Sequence, residues 1–166
     1  EVDKVFSFFK NNYKTYTYKH LIVSPLYSRK RFTKLIEAEI KSAKAGKKAF
    51  IFLKLNSLVD PEMIEKLYEA SQAGVEVKLI VRGICSLVPQ IEGLSENIEA
   101  VSIVDKFLEH SRIMIFGNGG DELYFIGSAD WMGRNLDHRV EVTCPIFDKK
   151  LQKELRQMMD IQWADN

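Results

Sequence analysis

The sequence predicts an α/β fold in which a mixed, mostly parallel sheet is flanked by helices and includes one antiparallel hairpin. In the first half of the chain, short apolar runs alternate with amphipathic stretches of helical period, as in a parallel sheet built from strand, helix, strand units. In the second half, two apolar runs flank Asn118-Gly119-Gly120, which supplies the positive φ angles that a tight hairpin requires.

The N-terminal half is predicted to contain an arm followed by three strands and two helices. Residues 1–19 are rich in aromatic side chains and lysine, and are expected to form a short helix and a linker from a preceding domain, with the domain itself at 20–166. Ser28 and Asp60 are typical helix N-caps, and Gly46 and Gly74 follow the apolar pattern of the two helices. Right-handed crossovers should make the strands parallel neighbours. They are predicted at 20–24, 49–56 and 75–82.

The C-terminal half continues the sheet with shorter connections. A loop is expected over 83–97, because it contains Pro89 and Gly93. A closing helix should begin at Asp148 and bury Leu151, Leu155, Met158 and Met159. Between them the predicted strands are 98–104, 110–116, 123–128 and 140–144.

Composition and charge limit the classes of function. The 166 residues, 46% of them apolar, suffice for one core, and no apolar run is long enough to span a bilayer. A net charge of +1 argues against a general polyanion surface and against nucleic acid as a partner, so any anion site must be local. Cys85 and Cys144 lack metal-ligand spacing and are expected to be buried thiols in a reducing compartment, which indicates the cytoplasm. A start at Glu1 rather than Met suggests a piece of a longer chain.

Polar residues stand where two of the parallel strands end. Lys54 and Asn56 close the second strand, and Arg82 closes the third. Ligands of open α/β sheets bind at this edge, and a guanidinium can hold a phosphate through two parallel hydrogen bonds. These residues are therefore candidate phosphate ligands. The alternatives are a surface ion pair for Arg82 and a solvated strand position for Lys54.

His110 is the candidate catalytic residue. The hairpin should bring Ser128 and Asp130 near His110 and Arg112. An imidazole can accept a phosphoryl group or shuttle a proton near neutral pH, and Arg112, two residues along the strand, would balance phosphate charge. The alternative is a structural histidine that is hydrogen-bonded to Glu109 or Asp130.

Other candidates nearby are weaker. His20 and His138 are expected to be structural or exposed, and Trp131 is expected to pack in the core rather than stack on a nucleotide. The polar segment 134–139 could form one wall of an anion pocket.

The pattern His110-x-Arg112, hairpin, Gly127-Ser128-x-Asp130 resembles the His-x-Lys and Gly-Ser-x-Asn half-motif of the phospholipase D superfamily. The resemblance implies a phospholipase D-like fold. Arg112 replaces the family's lysine and Asp130 its asparagine, which puts ordinary phosphodiesterase chemistry in doubt. That superfamily also pairs two such histidine motifs, and this chain has one.

Over a longer range, residues 23–165 resemble the C-terminal, second phospholipase D-like domain of bacterial polyphosphate kinase. This resemblance implies that Arg82 and His110 contact nucleotide phosphates, with His110 a candidate proton donor or acceptor. It also implies that the phosphorylated histidine and most of the Mg²⁺ site lie in a preceding domain that this chain lacks. The segments that carry it are 21–25, 53–60, 79–87, 103–110 and 127–132.

The family resemblance implies reversible transfer of the terminal phosphate of ATP to polyphosphate by the full-length enzyme, with this fragment inactive alone. The expected partners are ATP, ADP, polyphosphate and the preceding domains of the same chain, in a homo-oligomeric, cytoplasmic enzyme whose membrane association is left open. Lys54, Asn56, Arg112, Ser128 and Asp130 are the further candidate substrate-binding residues. Two alternatives remain: a dimeric phospholipase D-like phosphodiesterase or nuclease, and a noncatalytic polyphosphate-binding domain.

Overall fold

The computed structural model describes residues 1–11, 13–104 and 106–165, which form a seven-stranded sheet with helices on both faces. The strand order across the sheet is β1-β7-β6-β5-β2-β3-β4. The strands are Ile22–Val23 (β1), Phe50–Leu55 (β2), Glu76–Val81 (β3), Ile98–Val101 (β4), Arg112–Phe116 (β5), Leu123–Gly127 (β6) and Val142–Ile146 (β7). The α-helices are Val2–Lys10 (α1), Ser28–Lys44 (α2), Pro61–Gln72 (α3) and Lys149–Ala164 (α4).

The sheet is mixed, as predicted, but parallel pairs are its minority. β2, β3 and β4 are parallel neighbours, whereas the other four pairings are antiparallel. The prediction that the first strand lies parallel beside β2 is wrong, because β1 pairs with β7 at the far edge. β5 takes the place beside β2, in register from Ile51 opposite Phe116 to Lys54 opposite Ile113. The hairpin of β5 and β6 is confirmed.

Of the helix N-caps predicted at Ser28 and Asp60, the structure confirms one. Asp60 caps α3 as predicted, since its carboxylate accepts a hydrogen bond from the Met63 N–H at 3.1 Å. The predicted cap at Ser28 is wrong, because Tyr27 occupies that position and no side chain caps the helix. Ser28 is the first helical residue, and its hydroxyl donates to the Leu136 carbonyl at 3.0 Å instead. A tertiary hydrogen bond thus replaces the local one.

Tight turns are made by residues in the left-handed backbone region. Gly119 and Gly120 have φ angles of +65° and +115° in the turn between β5 and β6. The carboxylate of Glu39 on α2 accepts from the Asn118 N–H at 2.6 Å and the Phe50 N–H at 3.2 Å. Because Glu39 is almost fully buried, these bonds tie the hairpin turn to the helix layer.

Each face of β2 supports a different core. Ile51 and Leu53 face the layer of α2 and α3, and Phe52 faces α4. Every residue of β2 is buried, as is typical of a central strand covered on both faces. On α4 the predicted buried face is right for Met159, which is fully buried. It is wrong for Leu151, which is 48% exposed at the first turn.

Both cysteines are exposed, so the prediction of two buried thiols is wrong. Cys85 lies in the loop after β3, and Cys144 alternates with the buried Thr143 on β7. Apolar neighbours in sequence had suggested burial, but strand alternation points the Cys144 side chain outward, and the loop around Cys85 is exposed. Within the described ranges, no helix is long and apolar enough to cross a membrane.

The strand directions gather several chain segments at one edge of the sheet. β2 and β3 end there, β5 begins there, and β6 ends beside the start of β5. Arg112 opposes Gly127 across the hairpin, which places the residues before β5 next to those after β6. We call this the His110 edge, and define it by Asn56, Arg82, His110, Arg112 and Asp130.

Candidate active site

Asp130 is the buried centre of the His110 edge. Its Oδ1 accepts from the backbone N–H groups of Asn56 at 2.7 Å and Ser57 at 3.0 Å. Arg112 donates to the same carboxylate through Nε at 3.2 Å and Nη2 at 2.7 Å, a two-pronged ion pair. Burial alone would raise the pKa of Asp130, but the Arg112 guanidinium and the backbone donors outweigh it and hold the pKa below its usual value. Asp130 is therefore a carboxylate that fixes Arg112 to the end of β2.

Arg112 in turn orients His110. Its Nη1 lies 2.8 Å from the His110 carbonyl oxygen and 2.9 Å from Nδ1 of the imidazole. Because arginine can only donate, Nδ1 must accept, which assigns the ring proton to Nε2. His110 is exposed and lies just before β5 rather than within it. Nε2 has no hydrogen-bond partner within the described residues, so it is the ring nitrogen that is open to a ligand.

The hydrogen bonds of Arg112 leave it little capacity for a ligand. Nε and Nη2 each donate to Asp130, and Nη1 donates to both acceptor atoms of His110. Four of its five N–H groups are thus engaged, and its side chain is only 11% exposed. The geometry suits Arg112 for positioning His110 more than for clasping a phosphate.

Arg82 has a different environment at the same edge. Its Nε donates to Oδ1 of Asn56 at 2.8 Å, and Asn56 is itself held by Asp130. Among the residues that the structure describes, no carboxylate lies within ion-pair distance of Arg82. The predicted alternative of a surface ion pair is therefore not found there. The terminal nitrogens remain available, with the side chain aimed by Asn56.

Lys54 is placed differently from the expectation of a phosphate ligand. Its side chain is 3% exposed, and Nζ lies 2.7 Å from Oε1 of Glu109. Burial lowers the pKa of Lys54, although Glu109 opposes the shift. The pKa of Glu109 falls to about 2 because it accepts from Lys54 and Ser111. This pair anchors the residue immediately before His110 to β2.

Ser128 belongs to a neighbouring group of side chains. Its hydroxyl donates to Oε2 of Glu141 and accepts from the Val142 N–H at 3.2 Å. Asn135 donates to the other oxygen of Glu141 at 2.6 Å. No hydrogen bond joins Ser128 to His110 or Arg112 within the described residues, so the predicted contact is replaced by one across β6 and β7.

The polar segment 134–139 is held against the helix layer. Arg29 donates to both oxygens of Asp60, at 2.7 Å each, and to Asp137. This pairing holds the pKa of Asp137 below its usual value. Arg134 and Arg139 are exposed, and in the described part of the chain neither takes part in an ion pair. A wall of an anion pocket remains a prediction for these two arginines.

The remaining candidates are structural or exposed. Trp131 is fully buried, with its ring centroid 5.5 Å from that of Phe32, which confirms the expectation of packing. His20 and His138 are exposed. Across the described ranges, no three His, Cys, Asp or Glu side chains are grouped in a way that could hold a metal ion.

Sequence reasoning missed two acidic residues that organise the site. Glu109 was considered only as a partner of His110, but it pairs with Lys54. Glu141 was not considered at all, because its contact with Ser128 depends on how β7 pairs with β6. Glu109 could have been suggested by the buried position of Lys54 on a central strand, since a buried lysine requires an acceptor.

Exposed apolar side chains flank the His110 edge. Val104, Phe107 and Leu108, in the segment that leads to His110, are 71–78% exposed. Ile84, in the loop that follows Arg82, is 63% exposed. Such a patch next to polar catalytic candidates is typical of a surface that contacts another domain or chain.

Comparison with known proteins places these features in a family. Residues 21–166 match the family model described as "Polyphosphate kinase C-terminal domain 2". The chain is 51% identical over 165 residues to a polyphosphate kinase of Vibrio cholerae and 47% identical to that of Escherichia coli K12. Both alignments cover 99% of this chain and 24% of the relative, so the chain spans about a quarter of their length.

Solved structures agree with the sequence comparison. A crystal structure of polyphosphate kinase from Porphyromonas gingivalis superposes with a TM-score of 0.95 at 45% identity, over 99% of this chain and 25% of that one. The phospholipase D family member Nuc from Salmonella typhimurium has a TM-score of 0.61 at 16% identity, over 87% of this chain and 92% of that one. The second likeness concerns the fold alone and confirms the phospholipase D-like architecture.

Proposed function

The chain belongs to the polyphosphate kinase family, and we propose that it acts as the C-terminal part of an enzyme that reversibly transfers the terminal phosphate of ATP to polyphosphate. The observation that carries the proposal is the chain of contacts from Asp130 through Arg112 to His110, with Arg82 at the same edge. Phosphoryl transfer depends chiefly on positioning and on neutralising charge around the moving group, and these contacts serve both needs.

Arg82 is proposed to bind a nucleotide phosphate. Asn56 holds its Nε, while the terminal nitrogens have no carboxylate partner in the described part of the chain. A planar guanidinium held at one end can present two parallel donors to a phosphate with little loss of side-chain entropy.

His110 is proposed to exchange a proton with the phosphate through Nε2. The contact of Nδ1 with Arg112 determines both the ring orientation and the tautomer, so Nε2 carries the proton that can be donated. Arg112 is a positioning residue here, since four of its five N–H groups already have acceptors. Asp130 fixes Arg112, Asn56 fixes Arg82, and Lys54 fixes the residue immediately before His110.

The rest of the active site is proposed to lie outside this chain. The family resemblance assigns the phosphorylated histidine and most of the Mg²⁺ site to a preceding domain, and the relatives are about four times as long as this chain. The exposed apolar residues beside His110 support a covering domain there. This chain alone should therefore be inactive, although it can bind phosphate.

The test is His110→Ala in the full-length protein that carries this chain. We expect polyphosphate synthesis from ATP to fall at least about a hundredfold, the usual contribution of a general acid or base, with folding unchanged because His110 is exposed. His20→Ala, which removes an exposed histidine outside the His110 edge and outside segment 134–139, is the matched control and should keep full activity. Turnover at the unmodified rate in His110→Ala would refute the assignment.

A further inference from the structure

A basic cavity lies away from the His110 edge, between the arm that precedes β1 and the first turns of α2. Its volume is about 190 Å³, several times the roughly 30 Å³ that one water takes up in the liquid. None of the residues that define the His110 edge lines it. The side chains that matter here are Tyr18, Lys19, Tyr27, Lys30, Arg31 and Lys34.

The cations around this cavity lack counterions. In the described ranges, none of Lys19, Lys30, Arg31 and Lys34 has a carboxylate within ion-pair distance. The preceding Arg29 differs, because it contacts Asp60, Asp137 and Glu62. Like charges three and four residues apart on a helix repel each other, so this grouping is stabilised when an anion binds.

One acidic group is close to the cavity but is already engaged. The carboxylate of Glu1 accepts from the backbone N–H groups of Lys19, His20 and Leu21. It therefore fastens the arm and is not paired with the lysine side chains.

Tyr18 contributes its ring to the wall of the cavity and not a ligand contact. Its hydroxyl is shielded from solvent and has no hydrogen-bond partner among the described residues, so a ligand in the cavity does not reach it. The ring of Tyr27 lies edge-on to that of Tyr18, with centroids 6.4 Å apart. The two rings therefore form an apolar wall beside the cations.

We propose that this cavity binds the phosphate groups of an oligophosphate or polyphosphate chain, as an anchoring site separate from the His110 edge. Lys30 and Lys34 are four residues apart, or about 6 Å along the helix axis. Cations spread over that length fit a linear polyanion with a charge on each unit better than a single small anion. This inference goes beyond the proposed function, because it does not depend on His110.

The first test is lysine footprinting of the full-length protein. Lys30 and Lys34 are acetylated with and without long-chain polyphosphate and followed by mass spectrometry, with Lys41 and Lys44 on the same helix as internal controls. We expect polyphosphate to protect Lys30 and Lys34 at concentrations at least about tenfold below those that affect the controls, and added salt to weaken the protection. Equal protection of both pairs, or lysines already unreactive without polyphosphate, would overturn the proposal.

Variants then separate binding from folding. Lys30→Ala with Lys34→Ala should weaken the protection of Lys19 without lowering the unfolding temperature, because both side chains are exposed. Unchanged protection of Lys19 in that variant would contradict the assignment. Lys41→Ala with Lys44→Ala removes the same charge and should leave the protection of Lys19 unchanged.

Two further arms identify the ligand and isolate the site. Tripolyphosphate should protect Lys30 and Lys34 at least as well as ATP does; stronger protection by ATP would mean a nucleotide site and overturn the proposal. The footprint should persist in His110→Ala, and its loss there would mean that the cavity is not a separate site. Failure of the kinase assignment would leave this footprint unchanged, so the two outcomes can be distinguished.

Discussion

Replacing Asp130 with asparagine removes a negative charge from a largely buried ion pair while keeping the size of the side chain. The side chains of Arg112 and Asp130 are 11% and 5% exposed, and Nη2 lies 2.7 Å from Oδ2. In Asp130→Asn, one amide oxygen can still accept from the N–H groups of Asn56 and Ser57. The amide nitrogen, however, would face the guanidinium and leave the Arg112 charge without a partner.

The expected cost follows from that geometry. Breaking a buried pair by removing one partner usually destabilises a protein by about 3–5 kcal/mol. Because the amide oxygen introduced by Asp130→Asn would keep the hydrogen bonds from the backbone, we expect the lower end of that range, about 3 kcal/mol. In a chain of this size each kcal/mol lowers the unfolding temperature by about 2–4 °C, which predicts a decrease of about 6–12 °C.

The effect should depend on pH in a defined direction. Burial opposes ionisation of Asp130, but its hydrogen bonds with Arg112 and the backbone leave its pKa in the folded state below the usual value. The unfolded chain therefore takes up the proton at higher pH, and the stabilisation is complete above the ordinary aspartate pKa of about 3.9. It is lost as the pH falls through the folded-state pKa, so the variant and the unmodified chain should converge in acid.

The measurement is thermal unfolding of the 166-residue chain at neutral pH and at a series of pH values below about 4. Asp121→Asn is the control, because that side chain is 82% exposed and its pair with Lys149 spans 3.4 Å, an arrangement worth at most about 1 kcal/mol. If Asp130→Asn unfolds at the same temperature as the control, or if its deficit does not change with pH, the role assigned to the buried pair is wrong.

Three further predictions follow from other contacts. Arg82→Lys, which keeps the charge but loses the two-pronged geometry and the Nε contact with Asn56, should raise the KM for ATP about tenfold in the full-length enzyme; unchanged steady-state kinetics would contradict phosphate binding by Arg82. Lys54→Met should move the pKa of Glu109 upward from about 2, measured by carboxyl NMR, and a value that stays there would show that Lys54 is not its main partner. Glu39→Ala leaves the backbone N–H groups of two residues without an acceptor and should lower the free energy of unfolding in urea by about 2–4 kcal/mol. A loss below about 0.5 kcal/mol would mean that the hairpin turn does not need this carboxylate.

The candidate site illustrates how far sequence patterns extend. The strand ends at Asn56 and Arg82 and the hairpin that begins after His110 followed from sequence patterns, whereas their meeting at one edge depends on the antiparallel pairing of β5 with β2. The hydrogen bonds that hold these residues in place could not be predicted from the sequence, because those between Asp130 and the end of β2 join residues 74 positions apart. Lys54 was predicted to face a ligand, but β2 is covered on both faces, and Lys54 is buried there against Glu109.

The sequence by itself determined the local elements: the central buried strand β2, the cap at Asp60, and the hairpin turn with its glycines. These depend on short-range physics, namely side-chain periodicity, backbone sterics and hydrogen bonds within one turn. Only the tertiary structure decided that β5 lies beside β2, that β1 lies at the far edge beside β7, and that Lys54 is buried against Glu109. The order of strands and the pairing of charges depend on the relative free energies of whole arrangements of the chain, in which burial, desolvation and long-range hydrogen bonds are balanced together.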